Sequence, residues 1–90
     1  MDANDVRPAV GVVGDFDAQN PTHRFTNAAL THVGVEFVWV PTESIRRDAA
    51  DQLDRFHGLW ISPGSPYRSM DGALSAIRFG RERGIPLVGT

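Results

Sequence analysis

The chain has 90 residues, of which 41% are hydrophobic and 22% are charged, and its basic and acidic residues leave a net charge of −2. This length allows one domain with a thin core, because so short a chain buries only about 60 to 65% of the surface that it exposes when unfolded. All nine basic residues are arginines scattered between acids. Nucleic acid and anionic membranes are therefore not expected as partners.

Targeting and redox signals are absent from the sequence. No apolar stretch approaches the roughly 18 residues that span a bilayer, and the acidic start MDANDVRP is unlike a signal peptide. We therefore expect a cytoplasmic protein without a membrane partner. With no cysteine, the chain has neither a disulfide framework nor a thiolate metal site.

The first half of the chain predicts two strands around a helix. The apolar run at 9–13 is typical of a strand buried on both faces. Asn20 then caps a helix with proline at its first position, and Gly34 ends it. The apolar positions of this helix are Phe25, Ala28, Ala29 and Val33, and we expect its two alanines to lie against a sheet. The β-branched and aromatic run at 35–40 predicts the second strand.

The second half repeats the alternation. A weaker helical pattern runs from Thr42 towards Phe56, and residues 58–62 predict a third strand that stops at the loop SPGSPYRS. Met70, Ala73, Leu74 and Ile77 mark the apolar face of the next helix, which ends at Gly84. Residues 86–89 predict a fourth strand.

Strands that alternate with helices across short connections predict a parallel sheet with right-handed crossovers and helices on both faces. The expected fold is a three-layer α/β/α, flavodoxin-like arrangement with strand order 2-1-3-4. Ligands of such sheets bind at the carboxyl ends of the strands, where the strand order reverses. Two loops meet at this edge, GDFDAQNP and SPGSPYRS.

Several site classes are excluded by their missing motifs. The first strand is not followed by the glycine pattern of a dinucleotide site, and the chain has no lysine for a P-loop. Ser62 stands where a response-regulator receiver needs an aspartate. The histidines His23, His32 and His57 lack metal-ligand spacing, so we place them at the surface or at helix ends. Neither a cofactor nor a metal is expected.

An acidic pair offers one alternative function. Asp15 and Asp17 follow the first strand, as in haloacid dehalogenase-type phosphotransferases, where one carboxylate attacks phosphorus and both hold Mg²⁺. Ser62 would then be the phosphate-binding hydroxyl. The alternative interpretation is that Asp15, Asp17 and Asn20 are loop residues that form Asx turns and a helix cap.

The other loop carries a family resemblance. The motifs are a first strand ending in Val-Gly, a helix with NAALTHVG, and the stretch GLWISPGSPYRSMDGALSAIRFGRERGIPLVGT. In order and spacing they resemble the class I (triad) glutamine amidotransferase domain, most closely that of CTP synthase and its stand-alone relatives. The resemblance covers nearly all of residues 1–90, as the N-terminal part of such a domain.

The resemblance implies hydrolysis of glutamine to glutamate and ammonia through a cysteine thioester. In that family the loop after the third strand donates backbone N–H groups to the oxyanion, which lowers the barrier. Gly64 and Ser65 match the family's paired glycines, and Pro66 has no N–H to donate. The candidate oxyanion and substrate-binding residues are therefore Gly64, Ser65 and Tyr67. The alternative is that Pro63, Gly64 and Pro66 form a tight strand-to-helix turn, which explains two of the three without any substrate.

The family's cysteine nucleophile follows the fourth strand, where this sequence stops at Thr90. The expected partner is glutamine or a similar small molecule. A truncated chain, a gene fragment and a non-catalytic binding module remain open, and the first is favoured. An uncovered fourth strand invites pairing with another chain, so we expect either a homo-oligomer or a missing C-terminal half.

Overall fold

The computed structural model describes residues 9–62 and 67–89. They form four strands and four helices. The bounds in chain order are β1 Ala9–Val13, α1 Pro21–Val33, β2 Glu36–Val40, α2 Thr42–Arg47, α3 Ala49–Leu53, β3 Gly58–Ile61, α4 Met70–Arg83 and β4 Leu87–Gly89. Among these residues no helix is both long and apolar enough to cross a bilayer.

The four strands form one parallel sheet in the order β2-β1-β3-β4, as predicted. Ala9 pairs with Glu36 of β2, and Val10 pairs with Gly58 of β3, so β1 lies at the centre. Helices pack around the sheet, and the three-layer flavodoxin-like arrangement is confirmed. Val12 and Val13 point to opposite faces of β1 and are both fully buried, which confirms a strand covered on both sides.

The helix boundaries follow the local signals in the sequence. Asn20 accepts a hydrogen bond from the N–H of Thr22, and Gly34 ends α1 with φ at 87°, a conformation that favours glycine. The weak pattern after Pro41 forms two short helices rather than one. Asp48 interrupts them with an extended backbone and caps α3 by accepting a hydrogen bond from the N–H of Asp51.

The main core lies on the face of the sheet that carries Gly11 and Val13, here called the α4-side face. Helices α2, α3 and α4 cover it. The buried apolar residues of this cluster are Val13, Val40, Ile45, Leu53, Phe56, Leu59, Ile61, Ala76 and Phe79. A Cβ on Gly11 would lie 2.6 Å from the Phe56 ring, so the absence of a side chain lets Phe56 pack directly on β1.

The opposite face, called the α1-side face, carries Val12, Trp39, Trp60 and Val88, as the strand register and the alternation of side chains require. The prediction that Ala28 and Ala29 lie against this sheet is wrong, because both are exposed. The buried residues of α1 are His23, Thr26 and Leu30. The helix is turned so that its polar residues meet polar and aromatic partners at the sheet.

The predicted apolar face of α4 is also partly wrong. Ala73 is buried and Ile77 packs against the core, but Met70 and Leu74 are exposed. Gly72, Ala76, Phe79 and Gly80 complete the buried face. The small residues permit close packing: a Cβ on Gly72 would lie 1.9 Å from the carbonyl oxygen of Thr42.

Candidate functional site

The carboxyl ends of β1 and β3 meet where the strand order reverses. From β1 the chain crosses to β2 on one side, whereas β3 and β4 lie on the other. Such a reversal opens a crevice at the carboxyl edge of the sheet. Asp15 follows β1 at this edge, Ser62 follows β3, and Tyr67 to Ser69 lead into α4.

The Asp15 carboxylate accepts three hydrogen bonds there. The N–H of Thr42 donates to Oδ1 at 3.1 Å, and the Thr42 hydroxyl donates to Oδ2 at 2.7 Å. The N–H of Arg68 also donates to Oδ2, at 2.8 Å. Asp15 thus joins the end of β1 to the start of α2 and to the segment before α4.

These contacts lower the pKa of the Asp15 carboxyl. Partial burial raises the pKa of the carboxyl, but the hydrogen bonds from Arg68 and Thr42 and the positive charge of Arg68 outweigh it. The pKa of Asp15 is therefore below its ordinary value of 3.8. Asp15 is ionised at neutral pH, and its hydrogen bonds are of the stronger, charge-assisted kind.

Thr42 extends the connection to α4. Its side chain is fully buried. Its hydroxyl oxygen accepts a hydrogen bond from the N–H of Ser69 at 2.9 Å, and the same hydroxyl donates a hydrogen bond to Asp15. The Ser69 hydroxyl oxygen then accepts the N–H of Gly72 at 3.0 Å, which caps α4.

Tyr67 is the described member of the predicted oxyanion set. Its hydroxyl donates to the carbonyl oxygen of Ser62, across the loop that joins β3 to α4. Burial, and next the negative charge of Asp15, raise the pKa of the Tyr67 phenol above its ordinary 10.0. Gly64 and Ser65, the other predicted oxyanion residues, lie outside the described residues, together with Pro63 and Pro66.

Asp17 has a different environment from Asp15. It is exposed, and its Oδ1 accepts the N–H of Gln19 at 2.9 Å in an Asx turn. The loop-residue alternative therefore describes Asp17 and the cap Asn20, whereas Asp15 makes long-range contacts instead. No three histidine or acidic side chains within 9–62 and 67–89 are placed to hold a metal ion together.

His23 corrects a prediction. It lies in the first turn of α1, at a helix end as one alternative had it, but it is buried, with only 5% of its surface exposed, so a surface position is wrong. Its Nδ1 accepts the N–H of Asp17 at 2.9 Å, which places the ring proton of the neutral form on Nε2. The ring packs between Phe16 and Trp39, with centroids 6.0 and 4.9 Å away.

Three residues of the site were not predicted, namely Thr42, Arg68 and Ser69. Ser69 had a local signal, since serine three residues before Gly72 is typical of a helix N-cap. Thr42 and Arg68 had none, because their contacts with Asp15 join parts of the chain that are far apart in sequence.

A separate apolar groove of about 350 Å³ lies on the α1-side face. Its lining residues come from α1 and β3 and are Thr22, Phe25, Thr26, Ala29 and Trp60. Phe25 is 78% exposed, and Val88 on the neighbouring strand is 55% exposed. Among the described residues, the half of this face over β3 and β4 therefore lacks a covering helix.

Comparison with curated proteins gives one consistent result. The chain is 31% identical to the CTP synthase of Sphingopyxis alaskensis over 88 residues, which cover 89% of this chain and 16% of that protein. The CTP synthases of Novosphingobium aromaticivorans and Rhodospirillum centenum are 30% and 32% identical over 89 and 87 residues, with the same shares covered. The chain is similar to one segment of these CTP synthases. It spans about a sixth of the length of these relatives. No family model matches the chain, and no solved structure is significantly similar to it.

Proposed function

We propose that the chain is the first part of a glutamine amidotransferase-like domain, whose complete form hydrolyses glutamine to glutamate and ammonia. One structural finding and one comparison support this proposal. The strand order reverses beside the β3–α4 connection, which carries the predicted oxyanion residues, and the chain is similar to CTP synthase over 89% of its length.

The proposed reaction needs a thiolate, which this cysteine-free sequence would obtain from a longer polypeptide. The thiolate attacks the side-chain amide carbon of glutamine, and the carbonyl oxygen becomes an oxyanion. The carbon–nitrogen bond then breaks, and ammonia leaves after it gains a proton. Water hydrolyses the resulting thioester, which releases glutamate and restores the thiol.

The contribution of this chain is to bind the oxyanion. Backbone N–H groups fixed at the position where negative charge develops stabilise the transition state, and each such donor contributes about 10²- to 10³-fold in rate. We assign this role to the main chain of Gly64, Ser65 and Tyr67. Ser65 replaces the family's second glycine, and Pro66 replaces its phenylalanine. Because Pro66 has no N–H to donate, the donors must come from Gly64, Ser65 and Tyr67.

A direct test compares the 90-residue chain with any longer natural polypeptide that contains it. The isolated chain is expected to release no ammonia from glutamine above the buffer rate. A glutamine-analogue chloroketone should leave its mass unchanged, because there is no thiol to alkylate. The longer protein should release ammonia and should gain one analogue on a cysteine soon after Thr90.

Two results would contradict this function. A longer protein that lacks a cysteine at that place, yet binds a small metabolite at the carboxyl edge, would indicate a non-catalytic binding module. A Mg²⁺-dependent phosphatase activity that disappears in Asp15→Asn would indicate the phosphotransferase alternative.

A further inference from the structure

The Asp15 carboxylate is the meeting point of three parts of the chain. It belongs to the loop after β1, and its hydrogen-bond donors come from the start of α2 and from the segment that leads into α4. An ionised carboxylate offers about four acceptor positions, and Asp15 uses three of them on protein donors. Its hydrogen-bonding capacity is thus mostly used within the fold.

The segment from Tyr67 to Ser69 is held at each of its residues. The Tyr67 hydroxyl donates to the carbonyl oxygen of Ser62, the Arg68 N–H donates to Asp15, and the Ser69 N–H donates to Thr42 Oγ1. Two of these three contacts depend on Asp15, directly at Arg68 and through the Thr42 hydroxyl at Ser69. Loss of the carboxylate would therefore release the middle and the end of the segment together.

The close packing of α2 against α4 explains why Thr42 can serve as the link. The main chain of Thr42 passes so near Gly72 that a side chain there would overlap the Thr42 carbonyl oxygen. Thr42 is fully buried, and its hydroxyl contacts both Asp15 and Ser69. Its orientation is therefore set by the carboxylate on one side and the Ser69 N–H on the other.

We propose that Asp15 is a positioning residue, which acts through Thr42 and Arg68 to fix the Tyr67–Ser69 segment at the carboxyl edge. The functional part of this inference rests on the proposed glutamine hydrolysis, because Tyr67 is one of the proposed oxyanion donors. In this role Asp15 acts through its neighbours and needs no contact with glutamine or with the nucleophile. It keeps the donor segment in place before the substrate arrives, which lowers the reorganisation needed in the transition state.

The test uses the natural full-length protein with four substitutions. Asp15→Asn removes the charge and turns one acceptor into a donor that faces N–H groups. Glu43→Gln is the matched control, since it removes one negative charge beside Thr42 from a carboxylate that is paired with Arg46. Thr42→Val removes the linking hydroxyl, whereas Thr42→Ser keeps it.

The first measurement is amide hydrogen exchange followed by NMR. In Asp15→Asn we expect exchange at Arg68 and Ser69 to become about tenfold faster or more, while the amides of β1 and the middle of α4 are unchanged. Thr42→Val should accelerate Ser69 most, and Thr42→Ser and Glu43→Gln should resemble the wild type. Unchanged exchange at Arg68 and Ser69 in folded Asp15→Asn would overturn the positioning role, as would unchanged exchange at Ser69 in Thr42→Val if Asp15→Asn does not fold.

The second measurement is glutamine hydrolysis. Misplaced donors weaken the transition state more than the bound substrate, so kcat should fall by at least about tenfold in Asp15→Asn with KM nearly unchanged. An active wild type whose kcat does not change in Asp15→Asn and Thr42→Val would overturn the role of Asp15 in hydrolysis. A wild type without glutaminase activity would instead contradict the proposed function, and amide exchange would still decide whether Asp15 positions the segment.

Discussion

The two faces of the sheet are covered to different extents. On the α4-side face, three helices enclose a core in which Leu53 and Ile45 are almost fully buried. On the α1-side face, a single helix covers β1 and β2, and Phe25 remains largely exposed beside Trp60. The difference teaches that the fold depends on one face for stability, whereas the other offers apolar surface to a further element or chain. Homo-oligomerisation through this surface and through the β4 edge remains a prediction, to be checked by light scattering.

The most direct test of this difference is to truncate one phenylalanine on each face of the sheet. Phe79 is buried on the α4 side, and Phe79→Ala should lower the free energy of unfolding by about 3 to 5 kcal/mol, since it leaves a cavity. Phe25→Ala should change it by less than about 0.5 kcal/mol, because Phe25 is exposed. Urea denaturation measures both. Equal losses would show that the α1 side is covered in solution.

Helix packing on the α4 side gives the next largest effect. Gly72→Ala forces α4 away from α2, because the new methyl group would meet the Thr42 carbonyl oxygen at 1.9 Å. Overpacking of this kind costs about 1 to 3 kcal/mol, and we expect the upper end because the obstacle is backbone. Gly58→Ala is the control, since the nearest atom lies 3.8 Å away. A Gly72→Ala protein as stable as the wild type would contradict the close approach.

On the α1 side, the polar anchor His23 should matter more than the apolar groove. His23→Phe keeps a ring between Phe16 and Trp39 but leaves the Asp17 N–H without its acceptor, at a cost of about 1 to 2 kcal/mol. His23→Asn, which can place an oxygen near the position of Nδ1, should recover part of that loss. Thermal denaturation of the two variants distinguishes a hydrogen-bonding role from a packing role, in which His23→Phe would be the more stable.

The smallest effect is the pH dependence of the carboxyl edge. The pKa of Asp15 is lowered on folding, so its contribution to stability is present above about pH 3.8 and is lost as the pH falls through the folded value. Below pH 4 the wild type should therefore lose stability more steeply than Asp15→Asn. Equal slopes in acid denaturation curves would contradict this assignment.

Tyr67, the only tyrosine in the chain, gives a second probe of the same edge. Its pKa is raised by burial and then by Asp15, so its phenolate absorbance should appear above pH 10 and shift to lower pH in Asp15→Asn. The Glu43→Gln substitution should leave the pKa of the Tyr67 phenol unchanged. A Tyr67 pKa that is unchanged in Asp15→Asn would show that the Asp15 charge does not act on the Tyr67 phenol.

The sequence predicts the sheet well because its strands are short apolar runs that end at glycine or proline, and because alternation with helices dictates parallel pairing. It does not predict which face of α1 is buried. Counting apolar residues selects Ala28 and Ala29, whereas the helix buries His23 and uses Asn27 to accept the Trp39 Nε1–H at 2.7 Å. The Asp15 contacts were equally hidden, since Thr42 and Arg68 approach it only through tertiary structure.

The central position of β1 has a consequence for the order of folding. Two β-α-β units make up the sheet, one with β1, α1 and β2 and the other with β3, α4 and β4. Each closes over one helix, whereas joining β1 to β3 closes a longer stretch of chain and costs more loop entropy. The hydrogen bond from Arg68 to Asp15 links the second unit to the first. It can form only when the two units have docked, so we expect the contacts of the carboxyl edge to form after this docking.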